Sequence, residues 1–185
     1  MRGKELSRRE IEERLSKMGD YVKIGFLSDC LKATLDFDTR KFALVKLAIL
    51  YETRKMYFDA GKAMRSAAEI NTTFVGKIND FVKAAELFVR GGDYDLADAS
   101  VKNALSHANG EQRNVIKKSV KEFYMNQARE FLANDRRKGA TEVYEKLLTM
   151  EIDENERRDV SERLLQLYDN LGKIREYYML KKQIK

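Results

Sequence analysis

The stretch from Ala48 to Ala67, AILYETRKMYFDAGKAMRSA, decides the fold of this chain. Small and large residues recur in it at fixed intervals, on either side of a break at Lys55. The same order and spacing return in 85–104, AELFVRGGDYDLADASVKNA, and less strictly in 128–147, AREFLANDRRKGATEVYEKL. A pattern of this length that repeats along a chain predicts a stack of similar helical units, each packed on its neighbours, and not a domain with one central core.

Three kinds of position define the repeat: small residues, a large residue in the first half, and a turn position between the halves. The small residues are Ala48, Ala60, Ala67, Ala85, Ala97, Ala104, Ala128 and Ala140; the large ones are Tyr51, Phe88, Phe131 and Tyr168; the turn position holds Gly19, Lys55, Gly92, Asp135 and Gly172.

The composition predicts an all-α protein. The chain of 185 residues contains no proline, few glycines and 36% charged residues, and strong helix formers dominate it. Apolar residues recur every three or four positions, as amphipathic helices require. Connections of two to four residues make successive helices antiparallel. We expect ten helices, near 5–18, 20–36, 39–55, 57–70, 73–90, 93–108, 111–133, 136–150, 154–171 and 173–184.

Helix start and stop signals support these boundaries. Ser7 with Glu10, and Asp153 with Glu156, have the spacing of capping boxes. The other expected N-caps are Asp38 or Thr39, Thr72, Asp93 and Asn109. The expected stops are Gly19, Gly91–Gly92, Asn109–Gly110, Asn134–Asp135 and Gly172.

The order A-x2-Y-x3-G-x-Y-x2-A-x3-[FY]-x2-A, read from these positions, resembles the tetratricopeptide repeat, a helix–turn–helix unit of about 34 residues. The resemblance implies a right-handed solenoid of about five antiparallel helix pairs in a single domain, 1–185. The family's closing proline and opening tryptophan are missing, and the repeats are longer, as in the soluble attachment proteins of vesicle fusion. The longest step adds residues around Ser106–Asn114, where we expect lengthened helices.

The resemblance also implies a site. In the family, the first helices of successive repeats line a concave groove that holds an extended or helical segment of a partner. We therefore expect a non-catalytic protein–protein interaction adaptor. The matching groove positions are Lys46, Ile49 and Thr53; Asn79, Val82, Lys83, Glu86 and Arg90; Glu122, Met125, Asn126 and Arg129; and Arg163 and Gln166.

One kind of groove ligand is disfavoured by the residues present. Some family members clamp a C-terminal carboxylate with two lysines, two asparagines and an arginine. Asn126 and Arg163 match two of these positions, but Val82, Glu86 and Asp159 stand where Lys, Asn and Lys are required. Acidic side chains repel a carboxylate, so we do not expect this chain to bind such a tail.

The alternative hypothesis is an RNA- or ribosome-associated helical protein that uses basic turns. The net charge is +6, and cations cluster in several places. Solvated helix ends are the favoured explanation of such clusters, because cations are stabilised near helix C-termini. Phosphate binding would weaken steeply with salt, which separates it from groove binding. The clusters are Arg136–Arg137–Lys138, Lys117–Lys118, Arg157–Arg158, and Lys181, Lys182 and Lys185.

Catalysis, metal binding and cofactors find no support in the sequence. His107 is the only histidine and Cys30 the only cysteine, so neither belongs to a ligand cluster or a disulfide. We expect Cys30 to be a buried, inert thiol. No apolar run approaches the roughly 18 residues that a membrane span needs. The start of the chain does not resemble a signal peptide, and we expect a cytoplasmic protein.

The last predicted helix carries more apolar residues than one neighbouring helix needs to cover. They are Ile174, Tyr177, Tyr178, Leu180 and Ile184. Two alternatives are open: the side chains fold back on Leu164, Leu167 and Tyr168, or they form a surface for a partner or for a two-fold homodimer.

Overall fold

The computed structural model describes residues 6–184, and in that range the protein is all-α, with 82% of these residues helical and no strand. The predicted fold class is confirmed at this level. The ten helices described are α1 Arg8–Leu15, α2 Asp20–Lys32, α3 Phe37–Thr53, α4 Tyr57–Ile70, α5 Phe74–Gly91, α6 Tyr94–His107, α7 Gly110–Ala133, α8 Arg137–Leu148, α9 Glu154–Asn170 and α10 Ile174–Gln183.

The first of two compact units, Met1–Ile116, is built from α1 to α6 and the start of α7. Consecutive helices from α2 to α6 pack on one another, and α1 also contacts α3. Ile11, Leu27, Cys30, Ala43 and Leu47 form a cluster that joins α1, α2 and α3. The expectation that Cys30 is buried is therefore confirmed.

Small residues let the helices of this unit approach closely. Ala60, Ala67, Ala97 and Ala104 of α4 and α6 are fully buried. Gly61 lies so close to the Phe88 ring of α5 that a Cβ atom at Gly61 would lie 2.8 Å from two of the ring carbons. The alternation of small and large residues in the sequence is therefore a packing pattern between neighbouring helices.

The second unit, Lys117–Lys185, contains the rest of α7 and helices α8 to α10. Its helix α9 packs on both α8 and α10. The largest fully buried side chains are those of Tyr124, Tyr144, Leu147 and Leu164. At 24 residues, α7 is the longest helix described, as the longest repeat step predicts.

Four of the five turn positions share one backbone conformation. Lys55, Gly92, Asp135 and Gly172 have φ angles of 59°, 80°, 55° and 68°, in the left-handed region. The next residue donates its N–H back to the carbonyl oxygen of the large residue of the repeat, as in a Schellman motif. These bonds are Met56 to Tyr51 (2.9 Å), Asp93 to Phe88 (2.9 Å), Arg136 to Phe131 (2.8 Å) and Lys173 to Tyr168 (2.8 Å).

The fifth turn position differs. Gly19 has φ −74° and ψ 158°, an extended conformation, and is the N-cap of α2. Helix α1 has already ended at Leu15, with Ser16 as its C-cap. The interpretation of Gly19 as a left-handed stop is therefore wrong, because the first connection is long enough to end one helix and begin the next without a tight turn.

The helix caps agree with the sequence at most positions. Both predicted capping boxes are present, at Ser7 and Asp153, and the Asp93 side chain caps α6. The Asn109 side chain accepts from the Gln112 N–H at 2.9 Å, and Gln112 accepts in return from the Asn109 N–H at 3.0 Å. Asn109 thus begins α7 and does not end α6, whose last residue is His107.

Two predicted caps are displaced. Asp36, not Asp38 or Thr39, caps α3, and Thr73, not Thr72, caps α5. The Asp36 carboxylate accepts from the Thr39 N–H at 2.9 Å, and hydrogen bonds from Thr39 hold the pKa of that carboxyl below its usual value.

Among the described helices, none combines the length and the apolar character that a membrane crossing requires.

Candidate functional site

The predicted groove positions of the first unit lie on α3 and α5, and none of them is buried. Lys46 and Asn79 are exposed, and Ile49 keeps 51% of its surface open to solvent. Val82 is half-buried, as are the charged residues that follow it on α5. Lys46 lies three residues before Ile49 on the same side of α3, so an ammonium group and an apolar side chain are both accessible there to a peptide.

A network of charged side chains joins α3 to α5 on this surface. Glu52 of α3 accepts from Lys83 Nζ at 3.0 Å and from Arg90 Nη1 at 2.7 Å. Glu86 pairs with the same two cations, at 3.1 Å from Lys83 Nζ and 3.9 Å from Arg90 Nη1. The guanidinium of Arg90 also lies 4.2 Å from the centre of the Tyr57 ring and donates to the Tyr57 hydroxyl at 2.8 Å.

This Glu52 network brings three predicted groove residues, Lys83, Glu86 and Arg90, into one cluster. Its two cations and two anions balance, so the cluster carries no net charge. The side chains retain 25–37% exposure, so they are ordered by their neighbours and still accessible. Glu52 is absent from the predicted groove. The sequence offered one signal for it, since Glu52 lies three residues after Ile49 on the same side of the helix.

The starts of α3 and α5 are joined by a second set of polar contacts. Asp80 of α5 accepts from the buried Asn71 side chain at 2.7 Å and pairs with Lys41 of α3 at 3.7 Å. We define the α3–α5 surface as the residues from Lys46 to Glu52 on α3 and from Asn79 to Arg90 on α5. The contacts of Asp80 join the two helices near one end of this surface, and the Glu52 network joins them at the other.

In the second unit, the predicted groove residues lie on α7 and α9. Glu122, Asn126 and Arg129 are exposed, and Met125 is half-buried. Arg129 donates to the Asn126 side-chain oxygen at 3.2 Å. On α9, the two predicted positions, 163 and 166, are also exposed.

Ion pairs join α7 to α9 and to the segment that precedes α9. Lys121 Nζ of α7 lies 2.6 Å from a Glu156 oxygen, and Lys117 Nζ lies 2.6 Å from a Glu151 oxygen. The hydrogen bond and the positive charge of Lys117 lower the pKa of Glu151. Carboxylates thus pair with two cations of the α7 start in this unit, as they do with the cations of α5 in the first.

Equivalent positions of the repeat are accessible in both units. The residues nine positions before each left-handed turn residue are Lys46, Lys83, Asn126 and Arg163, and those six positions before it are Ile49, Glu86, Arg129 and Gln166. None of the eight is buried, whereas the small and large residues of the repeat between and beyond them form the cores. The repeat therefore separates packing positions from accessible ones in the same way in each unit.

Several cations of the basic clusters are already engaged. Arg136 lies over the Phe131 ring at 4.8 Å, and Arg137 pairs with Asp135 at 2.9 Å. Lys117 pairs with Glu151, and Lys181 lies over the Tyr177 ring at 5.3 Å. These contacts hold the cations against protein groups and reduce what the clusters could offer to phosphates.

The surface of α10 is divided. Leu180 is buried and Tyr177 half-buried, so one side of α10 faces inward as one of the two alternatives requires. Ile174, Tyr178 and Met179 keep 67%, 59% and 56% of their surface exposed.

A hydrogen-bonded group ties α8 to α9. The Tyr168 hydroxyl donates to Glu145 at 2.9 Å, and Lys173 pairs with the same carboxylate at 3.5 Å. Burial, and then the bond to Glu145, raise the pKa of Tyr168 well above its usual value, so the phenol stays protonated as a donor.

Comparison with known proteins identifies no family. No family model matches the chain, and no curated protein matches it. Among solved structures, the chain is similar to BtubC (BKLC) from P. vanneervenii, with 15% identity over 95% of this chain and 75% of that chain and a TM-score of 0.39. A similarity of this size assigns neither a family nor a function.

Proposed function

We propose that this chain is a non-catalytic adaptor of tetratricopeptide-like architecture, a right-handed solenoid of five helix pairs, that holds a segment of a partner protein. The segment lies on α3 and α5, the first helices of two successive pairs in the first unit. The observation that carries the proposal is the α3–α5 surface, where an exposed isoleucine adjoins side chains that are ordered before any partner arrives.

Ordering of the Glu52 network lowers the cost of binding. Long charged side chains lose rotamer freedom when a partner fixes them, at about 0.5–1.5 kcal/mol each. Here Arg90 is already held by Glu52 and the Tyr57 ring, and Lys83 by two carboxylates. Their remaining donors and the carboxylate oxygens can pair with the backbone of a peptide at less entropic cost.

The chemistry of the α3–α5 surface favours a peptide over nucleic acid. The network has no net charge, and the two glutamates would repel phosphates. Ile49 supplies apolar contact, which a polar phosphate backbone does not use. We therefore expect partner binding that changes little with salt, whereas binding through phosphates falls steeply as salt rises.

Photo-crosslinking from one position tests the proposal. A photoreactive amino acid replaces Ile49, and a matched variant carries it at Lys102, an exposed position of the second helix α6. In a lysate of the source cells, we expect the Ile49 variant to capture a discrete protein that the Lys102 variant does not, with or without nuclease. Equal capture from both positions, or capture that nuclease abolishes, would contradict the proposal.

A further inference from the structure

The exposed side of α10 combines apolar and cationic side chains. Ile174, Tyr178 and Met179 are each more than half exposed. Arg175 and Lys182 are exposed on the same side of the helix, opposite the buried Leu180. We call these five residues the α10 outer face. Along the helix axis, Arg175 lies before the exposed pair Tyr178 and Met179 and Lys182 lies after it, so this apolar pair has a cation at each end.

The cations of this face are not neutralised within the described part of the chain. Arg175 and Lys182 form no ion pair among residues 6–184, unlike Lys83, Arg90 and Lys121. Glu176 is the only acidic residue of α10, which also carries Arg175, Lys181 and Lys182. The α10 outer face therefore has an excess of positive charge that an acidic partner would complement.

Tyr178 is placed as an anchor for such a partner. Its ring meets the half-buried Tyr177 ring edge to face, with centroids 5.5 Å apart and planes at 89°. The Lys181 ammonium group lies 5.3 Å from the centre of the Tyr177 ring. Tyr178 thus rests on a fixed support while most of its surface stays open, and rigid exposed tyrosines contribute strongly to protein interfaces.

Charge argues against a second copy of this chain as the occupant. If two copies of α10 pack antiparallel through this face about a two-fold axis at Tyr178, Arg175 of one helix lies close to Lys182 of the other. The symmetry repeats this contact between like charges on the other side of the axis. Each copy brings the same excess of positive charge, and like charges in an interface cost affinity.

We propose that the α10 outer face binds an amphipathic helix of a partner protein, one whose apolar stripe is flanked by aspartate and glutamate. Ile174 and Tyr178 are four residues apart and form one ridge of the helix surface, which fits the groove of another helix. Arg175 can pair with a flanking carboxylate through two parallel hydrogen bonds. This interface is separate from the α3–α5 surface and does not depend on it.

Two synthetic helical peptides test the proposal. They share one leucine spacing, and their flanking positions are glutamate in one peptide and lysine in the other. Fluorescence anisotropy with the full chain measures both affinities. We expect the acidic peptide to bind on the order of tenfold more tightly, since two exposed cations each contribute a modest attraction. In the double variant Arg175→Glu/Lys182→Glu, the preference should reverse.

The control is the double variant Lys102→Glu/Lys118→Glu, which changes the net charge equally at exposed lysines outside α10. It should keep the preference for the acidic peptide, and circular dichroism should show that both double variants remain folded. The proposal is overturned if neither peptide binds, if the two bind equally, or if the control loses the preference as well.

Two other occupants have their own signatures. If phosphatidylserine vesicles bind the wild type more tightly than the acidic peptide does, and the Arg175→Glu/Lys182→Glu variant no longer binds them, the ligand of the α10 outer face is a lipid surface. If the wild type sediments as a dimer at micromolar concentration and Tyr178→Glu converts it to a monomer, the ligand of the α10 outer face is a second copy of this chain. Either result overturns the proposal.

Discussion

Replacing Gly61 with alanine tests the close packing of α4 on α5. The added Cβ would lie 2.8 Å from Phe88 Cδ1 and Cε1 and 3.0 Å from Cζ, whereas carbon atoms pack best at about 3.5–4.0 Å. The ring cannot move freely, because Phe88 is fully buried and packs edge to face against Phe58 at a centroid distance of 6.3 Å. The helices must therefore separate, or the ring must leave its preferred rotamer.

Two opposing effects set the size of the change. Overpacking in a core costs about 1–3 kcal/mol. Alanine in place of glycine within a helix contributes about 1 kcal/mol in the other direction. We expect Gly61→Ala to lower the free energy of unfolding by about 1–2 kcal/mol, which corresponds to a fall in Tm of about 2–8 °C for a chain of this size.

Gly25→Ala is the matched control. Gly25 is exposed within α2, and a Cβ there would meet nothing within 4 Å. The same chemical change should therefore stabilise the protein by about 0.5–1 kcal/mol. Thermal and urea unfolding, followed by circular dichroism at 222 nm (the usual wavelength for helix), give opposite signs for the two variants if the packing is as described.

A double variant identifies the cause. Phe88→Leu removes the atoms that the new methyl group would strike, so Gly61→Ala should cost less in that background than in the wild type. The difference is the coupling energy between the two positions. We expect the double variant to be more stable than the sum of the two single changes predicts. If Gly61→Ala proves as stabilising as Gly25→Ala, the close contact between Gly61 and Phe88 does not exist and the reasoning fails.

Four further predictions concern other parts of the chain. Ala97→Leu should lower stability by about 1–3 kcal/mol in urea unfolding, because Ala97 is fully buried; an unchanged midpoint would contradict the repeat register. Asn126→Ala and Arg129→Glu should weaken partner capture and leave Tm nearly unchanged, since both side chains are exposed; loss of the fold would make them structural. Burial raises the pKa of the Cys30 thiol, so a thiol reagent should label it only as fast as α1–α3 open, and immediate labelling of the native protein would refute this. Lys55→Gly should raise stability by about 0.5–1 kcal/mol in thermal unfolding, because Lys55 adopts a left-handed φ of 59° that glycine tolerates better; a destabilised variant would show that the Lys55 side chain matters more.

The helices and the repeat could be predicted because their signals are local. Amphipathic periodicity, capping residues and turn residues all act within a few positions, and each predicted helix has a counterpart within a few residues. The repeat register added information that single residues lack. Lys55 and Asp135 are unusual in a left-handed conformation, yet alignment with Gly92 and Gly172 marked both as turn positions.

Errors arose where neighbouring residues carry equivalent signals. Asp36 and Asp38 can each cap a helix, as can Thr72 and Thr73, and the choice depends on which residue leaves its backbone extended. At Gly19 the glycine signal was correct for a helix boundary, but it marks the start of α2. Such choices are settled by the packing of the helix, which the local sequence does not contain.

The candidate site was predicted only in part. Accessible positions followed from helical spacing and from the resemblance to a known repeat, and none of them is buried. The Glu52 network could not be predicted, because its partners lie 31 and 38 residues away in the chain. Whether Glu52 reaches Lys83 and Arg90 depends on how far α5 lies from α3, and that distance depends on how both helices pack on α4.

The four left-handed turns have a consequence for how the chain folds. Each turn closes through hydrogen bonds between residues only a few positions apart, and within each unit most packing joins helices that are consecutive. Contacts of low sequence separation form quickly, because little chain entropy is lost before they are made. During synthesis, a helix pair can therefore close as soon as its second helix has left the ribosome, while the next pair is still being translated.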